Sequence, residues 1–276
     1  MPLSLSGREL ETGLVTLDVP VVVRCHGRHA ERLRHAVAGA WRDCASGSAV
    51  EHPDAEVVDV LLDDDETVVA EARLRGATAS TSLDQLLHDL SPVVTERAIT
   101  RNAGRLLMLH AAGVADRASG ACVALVAPSG TGKTTATQTL ARELGYASDE
   151  TVGIRDDLSV VAHPKPLSIL TRADSALKVQ TPASELGLHP APSGLHLAGV
   201  LVLRRDPDGP DVEVSPVRTV LALAELAPQT SYLSRLPLPL HRLAATLTAT
   251  GGLRVVSYRE ADSLLPVVRG LLDGAA

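Results

Sequence analysis

A short glycine-containing segment in the middle of the chain, residues 127–134, has the residue types with the clearest chemistry. It reads APSGTGKT and matches the P-loop pattern GxxxxGK[ST], with Ala127 at the first glycine position. In this pattern the glycines let the main chain approach phosphate groups closely, and successive amides point inward as an anion-binding ring. The segment therefore predicts a site for ATP together with Mg²⁺.

Several residues of this segment have a specific predicted task. Lys133 would place its ammonium group on the β- and γ-phosphates, and the Thr134 hydroxyl would ligate magnesium. The helix that follows would add the positive field of its N-terminal end. The residues predicted to hold the nucleotide are Ser129, Gly130, Thr131, Gly132, Lys133, Thr134 and Thr135.

The sequence on either side of the loop agrees with this interpretation. Residues 121–127 (ACVALVA) form an apolar run typical of a buried strand. Residues 135–144 have helical spacing, and Gly145 provides a C-terminal stop. A dinucleotide-binding motif would need a third glycine after Gly130 and Gly132, and that glycine is missing.

Two adjacent carboxylates follow the loop. Asp149 and Glu150 lie in the segment YASDET, sixteen and seventeen residues after Lys133. At the end of a strand beside the loop strand, one could act as a general base and the other could hold magnesium, directly or through water. The alternative is a solvated turn between a helix and a strand, and the spacing alone does not decide between them.

His110 lies on the apolar run that precedes the loop strand. A lone histidine on such a strand is more often a satisfied core residue than a functional one.

The run LHAAGVA…VALVAPSGTGKTTATQTLARELGYASDETV resembles the HPr serine kinase family, which is structurally akin to the phosphoenolpyruvate carboxykinases. The resemblance implies that His110 lies near the phosphates, that Asp149 is the catalytic base and that Glu150 assists magnesium. It also implies nucleotide-binding roles for Gly130, Gly132, Lys133 and Thr134.

The later segment 163–168 (HPKPLS) is similar to a prolyl segment of HPr-kinase-like proteins from bacterial peptide natural-product clusters, including those for lasso peptides. Two features depart from the family. Glu150 stands where the family usually has Asp, and the downstream glycine-rich signature is not recognisable, so the resemblance does not imply HPr itself as the substrate.

The cation that would stabilise the transferred phosphoryl group is not identified by the sequence. Arg204, Arg205 and Arg235 are candidates, but arginine is most often an exposed surface residue. Lys165 lies between two prolines, and a spacer role in an extended segment is favoured for it over phosphate binding.

The element pattern predicts two domains, a small α+β N-terminal module at 1–95 and an ATP-binding kinase domain at 96–276. In the first, strands are expected at 14–24, 56–62 and 67–74, and helices at 29–44 and 82–102. The acidic run 63–66 is interpreted as a solvated hairpin turn and not as a metal site. The second is expected to be α/β, with the P-loop in a mixed β-sheet flanked by helices.

The expected elements of the second domain follow the chain in order. A strand is expected at 106–115 and an irregular loop at 171–194, with helices at 215–227, 238–249 and 260–273. Short strands are expected at 146–148, 152–154, 158–162, 167–170, 198–204 and 253–257.

Composition excludes several classes of function. The formal net charge is −7 without a basic stripe, and aromatic residues make up 1% of the chain, so a nucleic-acid partner is not expected. No apolar run is long enough to cross a membrane, and the N-terminus does not resemble a signal peptide. The three cysteines are widely spaced, which favours a reduced cytoplasmic setting and, for Cys122, a buried thiol. The sequence leaves open whether the protein forms a homo-oligomer.

These observations lead to one expected function with two alternatives. The expected function is an ATP-dependent kinase acting on a hydroxyl, with a Ser or Thr of a peptide or small protein as acceptor, in the setting of peptide natural-product biosynthesis. The alternatives are a nucleotide-binding regulatory or assembly protein without transfer activity, and a kinase for a small metabolite.

Overall fold

A computed structural model describes residues 9–47, 50–128, 132–170 and 178–274. The α-helices within these ranges are α1 (Ala30–Ala40), α2 (Glu66–Leu74), α3 (Leu83–Arg101), α4 (Lys133–Ala141), α5 (Thr219–Leu226), α6 (Pro239–Ala249) and α7 (Leu264–Asp273). Short 3₁₀ turns are found at Arg42–Cys44, Ala183–Leu186, Ala227–Gln229, Leu233–Arg235 and Ala261–Ser263.

The strands alternate with these helices along the chain. They are β1 (Leu10–Thr16), β2 (Val19–His26), β3 (Glu56–Leu62), β4 (Thr78–Ser80), β5 (Leu107–Leu109), β6 (Ala111–Ala115), β7 (Ala121–Val126), β8 (Gly145–Ser148), β9 (Val152–Ile154), β10 (Val160–Val161), β11 (Leu167–Leu170), β12 (Lys178–Thr181), β13 (His189–Pro190), β14 (His196–Arg205), β15 (Val212–Pro216), β16 (Thr230–Ser231) and β17 (Leu253–Tyr258). The fold is mixed α/β, which confirms the predicted α/β fold class.

The chain divides into two compact units. The first comprises residues up to 101 together with 165–186, and the second comprises 102–164 together with 187–276. Helix α3 runs through residue 95, so the first unit ends at Arg101 and not at the boundary suggested by the sequence. The segment 165–186, which the sequence interpretation assigns to the second domain, returns to the first unit.

The first unit contains a four-stranded sheet in the order β1-β2-β3-β4 and a separate hairpin of β11 and β12. Strands β1 and β2 are antiparallel, whereas β3 pairs in parallel with both β2 and β4. Helix α3 packs against this sheet and against β12. The strand expected at 14–24 is therefore two strands, because Leu17 and Asp18 both adopt positive φ and reverse the chain.

The segment 67–74 is a helix, and the prediction of a strand there is wrong. Asp65 caps α2 by accepting a hydrogen bond from the Thr67 amide at 2.8 Å. Val69 and Ala72 then share one helical face and join a small buried cluster with Leu61. The acidic run 63–66 thus begins a helix, and the hairpin turn expected there is also wrong.

The second unit contains a seven-stranded mixed sheet in the order β13-β8-β6-β7-β14-β17-β15. Strand β7 pairs in parallel with β14 and antiparallel with β6, and β6 pairs antiparallel with β8. A smaller antiparallel sheet has the order β10-β9-β5-β16. The single strand expected at 106–115 is divided at His110 into β5 and β6, which belong to different sheets.

Two further predictions in the later part of the chain need correction. The segment expected to be irregular, 171–194, contains β12, a 3₁₀ turn at Ala183–Leu186 and β13, while 171–177 lie outside the described residues. The helix expected at 215–227 is shorter, because β15 occupies 212–216 and pairs with β17.

Cys25, Cys44 and Cys122 are buried free thiols, which confirms the interpretation of Cys122. Burial raises the pKa of each thiol to about 12. Over the part of the chain that the structure covers, no helix has the length and apolar character needed to cross a lipid bilayer.

Gly145→Ala should destabilise the second unit, and Gly39→Ala should not destabilise the first. A Cβ atom on Gly145 would lie 2.8 Å from Ala191 Cα, a backbone atom that cannot move without displacing β13. We expect a loss of about 1–3 kcal/mol in the free energy of unfolding from this overpacking.

A Cβ atom on Gly39, inside α1, would have no neighbour within 4 Å among the described residues, so alanine should stabilise the helix by up to about 1 kcal/mol. Urea unfolding measures both values. Equal effects of the two substitutions would contradict the packing described for Gly145.

Candidate functional site

One edge of the seven-stranded sheet brings together the chain segments with predicted chemistry. Strands β7 and β8 both run antiparallel to β6, which lies between them. The carboxyl ends of β7 and β8 therefore lie at the same edge as the start of β6, and we call this the carboxyl edge. The predicted P-loop leaves this edge after Val126, Asp149 follows β8, and His110 precedes β6.

The strand that leads to Asp149 is not the immediate neighbour of the loop strand. The sequence interpretation relied on a strand adjacent to β7, but β6 occupies that position. Two interstrand spacings, about 10 Å, therefore separate β7 from β8. Asp149 is on the correct edge, and His110 lies on the strand between it and the loop.

The loop segment is flanked by a strand and a helix, as the sequence predicts. Strand β7 ends at Val126, and α4 begins at Lys133. Ser129, Gly130 and Thr131 lie outside the described residues, so the central part of the predicted amide ring is not described.

Gly132 has φ +91° at the start of α4, a conformation that favours glycine because a Cβ atom would clash with the main chain. A Cβ atom at this position would lie 3.7 Å from the Tyr258 hydroxyl. The second glycine of the P-loop pattern is thus required by the backbone conformation and not only by the motif.

Lys133 is the first residue of α4 and is only 8% exposed. Its carbonyl accepts a hydrogen bond from the Thr137 hydroxyl at 2.8 Å, which anchors the first turn of the helix. Thr134 is half-buried and Thr135 is exposed. A largely buried ammonium group at the positive end of a helix makes this location favourable for an anion.

Asp149 is buried, with 7% of its surface exposed. The Tyr146 hydroxyl donates a hydrogen bond to Asp149 Oδ1 at 3.2 Å. The Ser148 hydroxyl oxygen accepts hydrogen bonds from the amides of Glu150 at 3.1 Å and Thr151 at 3.0 Å, which turns the chain sharply after β8. This burial disagrees with the alternative of a solvated turn for Asp149, while Glu150 is half-buried.

An irregularity in β8 precedes this turn. Gly113 pairs with Ser148 and Val114 pairs with Tyr146, so Ala147 is an extra residue in the ladder. The Ala147 carbonyl instead accepts a hydrogen bond from the His163 amide at 2.9 Å. Such bulges redirect the side chains that follow them, and this one lies two residues before Asp149.

His110 marks the point at which the chain passes from the small sheet to the large one. Its amide donates a hydrogen bond to the Gln229 carbonyl at 2.6 Å, and the residue is half-buried. This half-burial at the carboxyl edge differs from the fully buried neighbours Leu109 and Ala111. The residue is therefore at the boundary of the core, next to the strands that carry the loop and Asp149.

The candidate arginines differ in position. Arg204 and Arg205 end β14, whose Val202 pairs with Val126, so both lie at the carboxyl edge. Arg204 forms an ion pair with Glu225 at 3.5 Å and Arg205 forms one with Glu260 at 3.0 Å.

Arg235 is exposed in the 3₁₀ turn Leu233–Arg235. Lys165 is buried within the first unit, where its ammonium donates a hydrogen bond to the Pro166 carbonyl at 3.3 Å. The spacer interpretation of Lys165 stays a prediction.

Two tyrosines that contact the segments at the carboxyl edge were not identified from the sequence. Tyr146 contacts Asp149, and Tyr258, at the end of β17, lies beside Gly132. Tyr258 is 2% exposed, and burial raises its pKa. The signal that could have identified them is their rarity, since the chain has three tyrosines and no phenylalanine.

The oxygen atoms of Thr134, Asp149 and Glu150 are of the type that Mg²⁺ prefers. Across the described ranges, there is no cluster of three or more His, Cys, Asp or Glu side chains that could hold a metal ion by itself. A P-loop magnesium site needs no such cluster, because one hydroxyl, the phosphate oxygens and water supply most of its ligands. The residues present fit that kind of site.

Comparison with known proteins leaves the family open. No family model matches the chain, and no curated protein matches it. The resemblance to HPr serine kinases therefore stays a prediction from the motifs.

A double-mutant cycle measures the contact between Tyr146 and Asp149. Tyr146→Phe, Asp149→Ala and the double variant should show a coupling of about 0.5–1.5 kcal/mol in the free energy of unfolding, the usual contribution of one hydrogen bond. Urea unfolding gives the three values. Additive effects would mean that the two side chains do not interact in solution.

Proposed function

We propose that the protein is an ATP-dependent kinase that transfers the γ-phosphoryl group to a hydroxyl of a peptide or small-protein acceptor. One observation supports this most strongly. The strand–loop–helix segment with Gly132 at φ +91° lies on the same edge of one sheet as the buried Asp149. Ligands of open α/β sheets characteristically bind at the carboxyl ends of the strands.

The proposed grip on the triphosphate comes from α4 and the loop before it. Lys133 contacts the β- and γ-phosphates, and the amides at the helix start donate to phosphate oxygens. Thr134 supplies a hydroxyl ligand to magnesium, with Glu150 assisting. When bound, magnesium supplies positive charge that offsets the charge developing on the phosphoryl oxygens.

Asp149 is proposed to accept the proton of the acceptor hydroxyl. Its burial and its hydrogen bond from Tyr146 fix the carboxylate in one orientation, which a general base requires. The spacing of about 10 Å between β7 and β8 leaves room for the γ-phosphoryl group and the attacking oxygen. His110, on the strand between them, is proposed to contact the phosphates.

The acceptor class is supported by the resemblance of residues 106–170 to HPr serine kinase-like proteins. A nucleotide-binding regulatory protein without transfer activity is the second candidate. It is favoured by the position of β6, which separates the strand of Asp149 from the loop strand. Measuring transfer and binding in the same variants distinguishes these two functions.

Lys133→Met should lower kcat/KM for ATP by about 10²–10³-fold, because charge stabilisation in the transition state is lost. Transfer from γ-labelled ATP to a peptide library containing Ser and Thr measures this effect. Lys178→Met, which removes an exposed lysine from the first unit, is the matched control and should retain full activity. Equal activity of the two variants would exclude the proposed role of Lys133.

Asp149→Asn should abolish transfer while the Kd for ATP changes little, because the amide cannot accept the proton but has the same shape. Calorimetric titration with a non-hydrolysable ATP analogue measures binding. Asp156→Asn, which affects an exposed carboxylate paired with Arg242, is the control. Equal loss of binding and transfer in Asp149→Asn would contradict its role as a base. Tight ATP binding by the wild type without any transfer would favour the regulatory protein.

A further inference from the structure

A cavity lies in the second unit, at the edge of the large sheet opposite to the carboxyl edge. Its volume is about 480 Å³, and its lining includes the first residues of β14 and the Arg254 side chain near the start of β17. Both strands run parallel to β7, so their amino ends lie away from the carboxyl edge. Cavities of roughly 300–1,000 Å³ are typical of small-molecule sites.

Arg254 gives this cavity its chemical character. Its Nη1 atom is shielded from solvent and has no hydrogen-bond acceptor among the described residues, whereas the residue as a whole is half-buried and belongs to the cavity lining. A guanidinium group stays charged at all accessible pH values, and a shielded donor without an acceptor is unfavourable. Within the described part of the chain, no Asp or Glu belongs to the cavity lining, whereas His196 does. The side chains of the lining therefore offer positive charge and hydrogen-bond donors without a carboxylate. The carboxyl ends of α6 and α7, which also line the cavity, carry only partial negative charge.

The backbone beside the Arg254 head group includes a left-handed glycine. Gly251 has φ +77°, and a Cβ atom there would lie 3.5 Å from Arg254 Nη2. In the β14 part of the lining, the ladder between β14 and β7 shifts register between Leu197 and Gly199, so Ala198 forms a bulge. A bulge and a left-handed glycine on two neighbouring segments are features that often accompany binding sites.

We propose that this cavity binds a small organic or inorganic anion, a carboxylate or a phosphate, with Arg254 as its principal contact. Arginine recognises both groups through paired, charge-assisted hydrogen bonds. His196 supplies a second donor from β14, the neighbouring strand of β17. This site is independent of the proposed kinase function, because its lining residues come from β14, β17, α6 and α7 and their connections, and not from α4 or the segment around Asp149.

Binding to Lys133→Met protein tests the proposal without interference from the predicted P-loop. Titration calorimetry with inorganic phosphate, succinate and citrate as probes distinguishes phosphate from carboxylate ligands. We expect at least one probe to bind, and Arg254→Gln to weaken it about tenfold or more. Arg269→Gln is the matched control and should bind normally. It removes an exposed arginine of α7 that is paired with Glu143.

Gly270→Leu tests the cavity itself. Gly270 lines the cavity inside α7, and a Cβ atom on it would have no described neighbour within 4 Å, so a larger side chain fills open space without a clash. The variant should fold with an unchanged or higher Tm, since leucine favours the helix more than glycine does, and it should lose anion binding.

Two results would overturn the proposal. One is that none of the three probes binds Lys133→Met protein, and the other is that Arg254→Gln and Gly270→Leu both bind as tightly as the parent. Loss of transfer activity in Lys133→Met has no bearing on either outcome, so failure of the kinase function and failure of this site are distinguishable.

Discussion

Strand β6 runs antiparallel to both of its neighbours, β7 and β8, and this arrangement determines what meets at the carboxyl edge. Because of it, the segment after β7, the segment after β8 and the residue before β6 all lie together. If β6 were parallel to β7, His110 would be at the opposite edge. The hydrogen-bond ladders of this one strand therefore control the geometry of the whole candidate site.

The conformation of Gly132 is the second requirement. Its left-handed backbone lets the chain pass from the loop directly into α4, which presents Lys133 and Thr134 in the first helical turn. The buried Tyr258 closes the space next to Gly132, so the turn is supported from the end of β17. The start of α4 and the Asp149 carboxylate are thus both held against strands of the same sheet.

The sequence predicts best those elements whose signals are local. The apolar run before the loop, the helix after it and β3 could be predicted, because strand composition, helical spacing and turn residues act over a few positions. The helix at 66–74 could not, because Val68 and Val69 favour a strand locally while the Asp65 cap and the packing of Val69 against Leu61 favour a helix.

Features set by long-range pairing were not predictable from one sequence. The position of β6 between β7 and β8, the bulge at Ala147 and the return of 165–186 to the first unit all depend on contacts between distant residues. The hydrogen bond from Tyr146 to Asp149 spans that bulge. The candidate site residues were therefore identifiable by type, whereas their arrangement and their supporting tyrosines were not.

Hydrogen–deuterium exchange measured by mass spectrometry tests the central claim most directly. With Mg²⁺ and a non-hydrolysable ATP analogue, exchange should slow in peptides covering 127–144 and 146–152, while a first-unit peptide covering 56–74 should be unaffected. We expect both segments to be protected together, because the proposed phosphate-binding loop and the Asp149 segment lie at the same edge of the sheet. Saturating nucleotide that leaves 127–144 unprotected, or protects only distant peptides, would contradict the account.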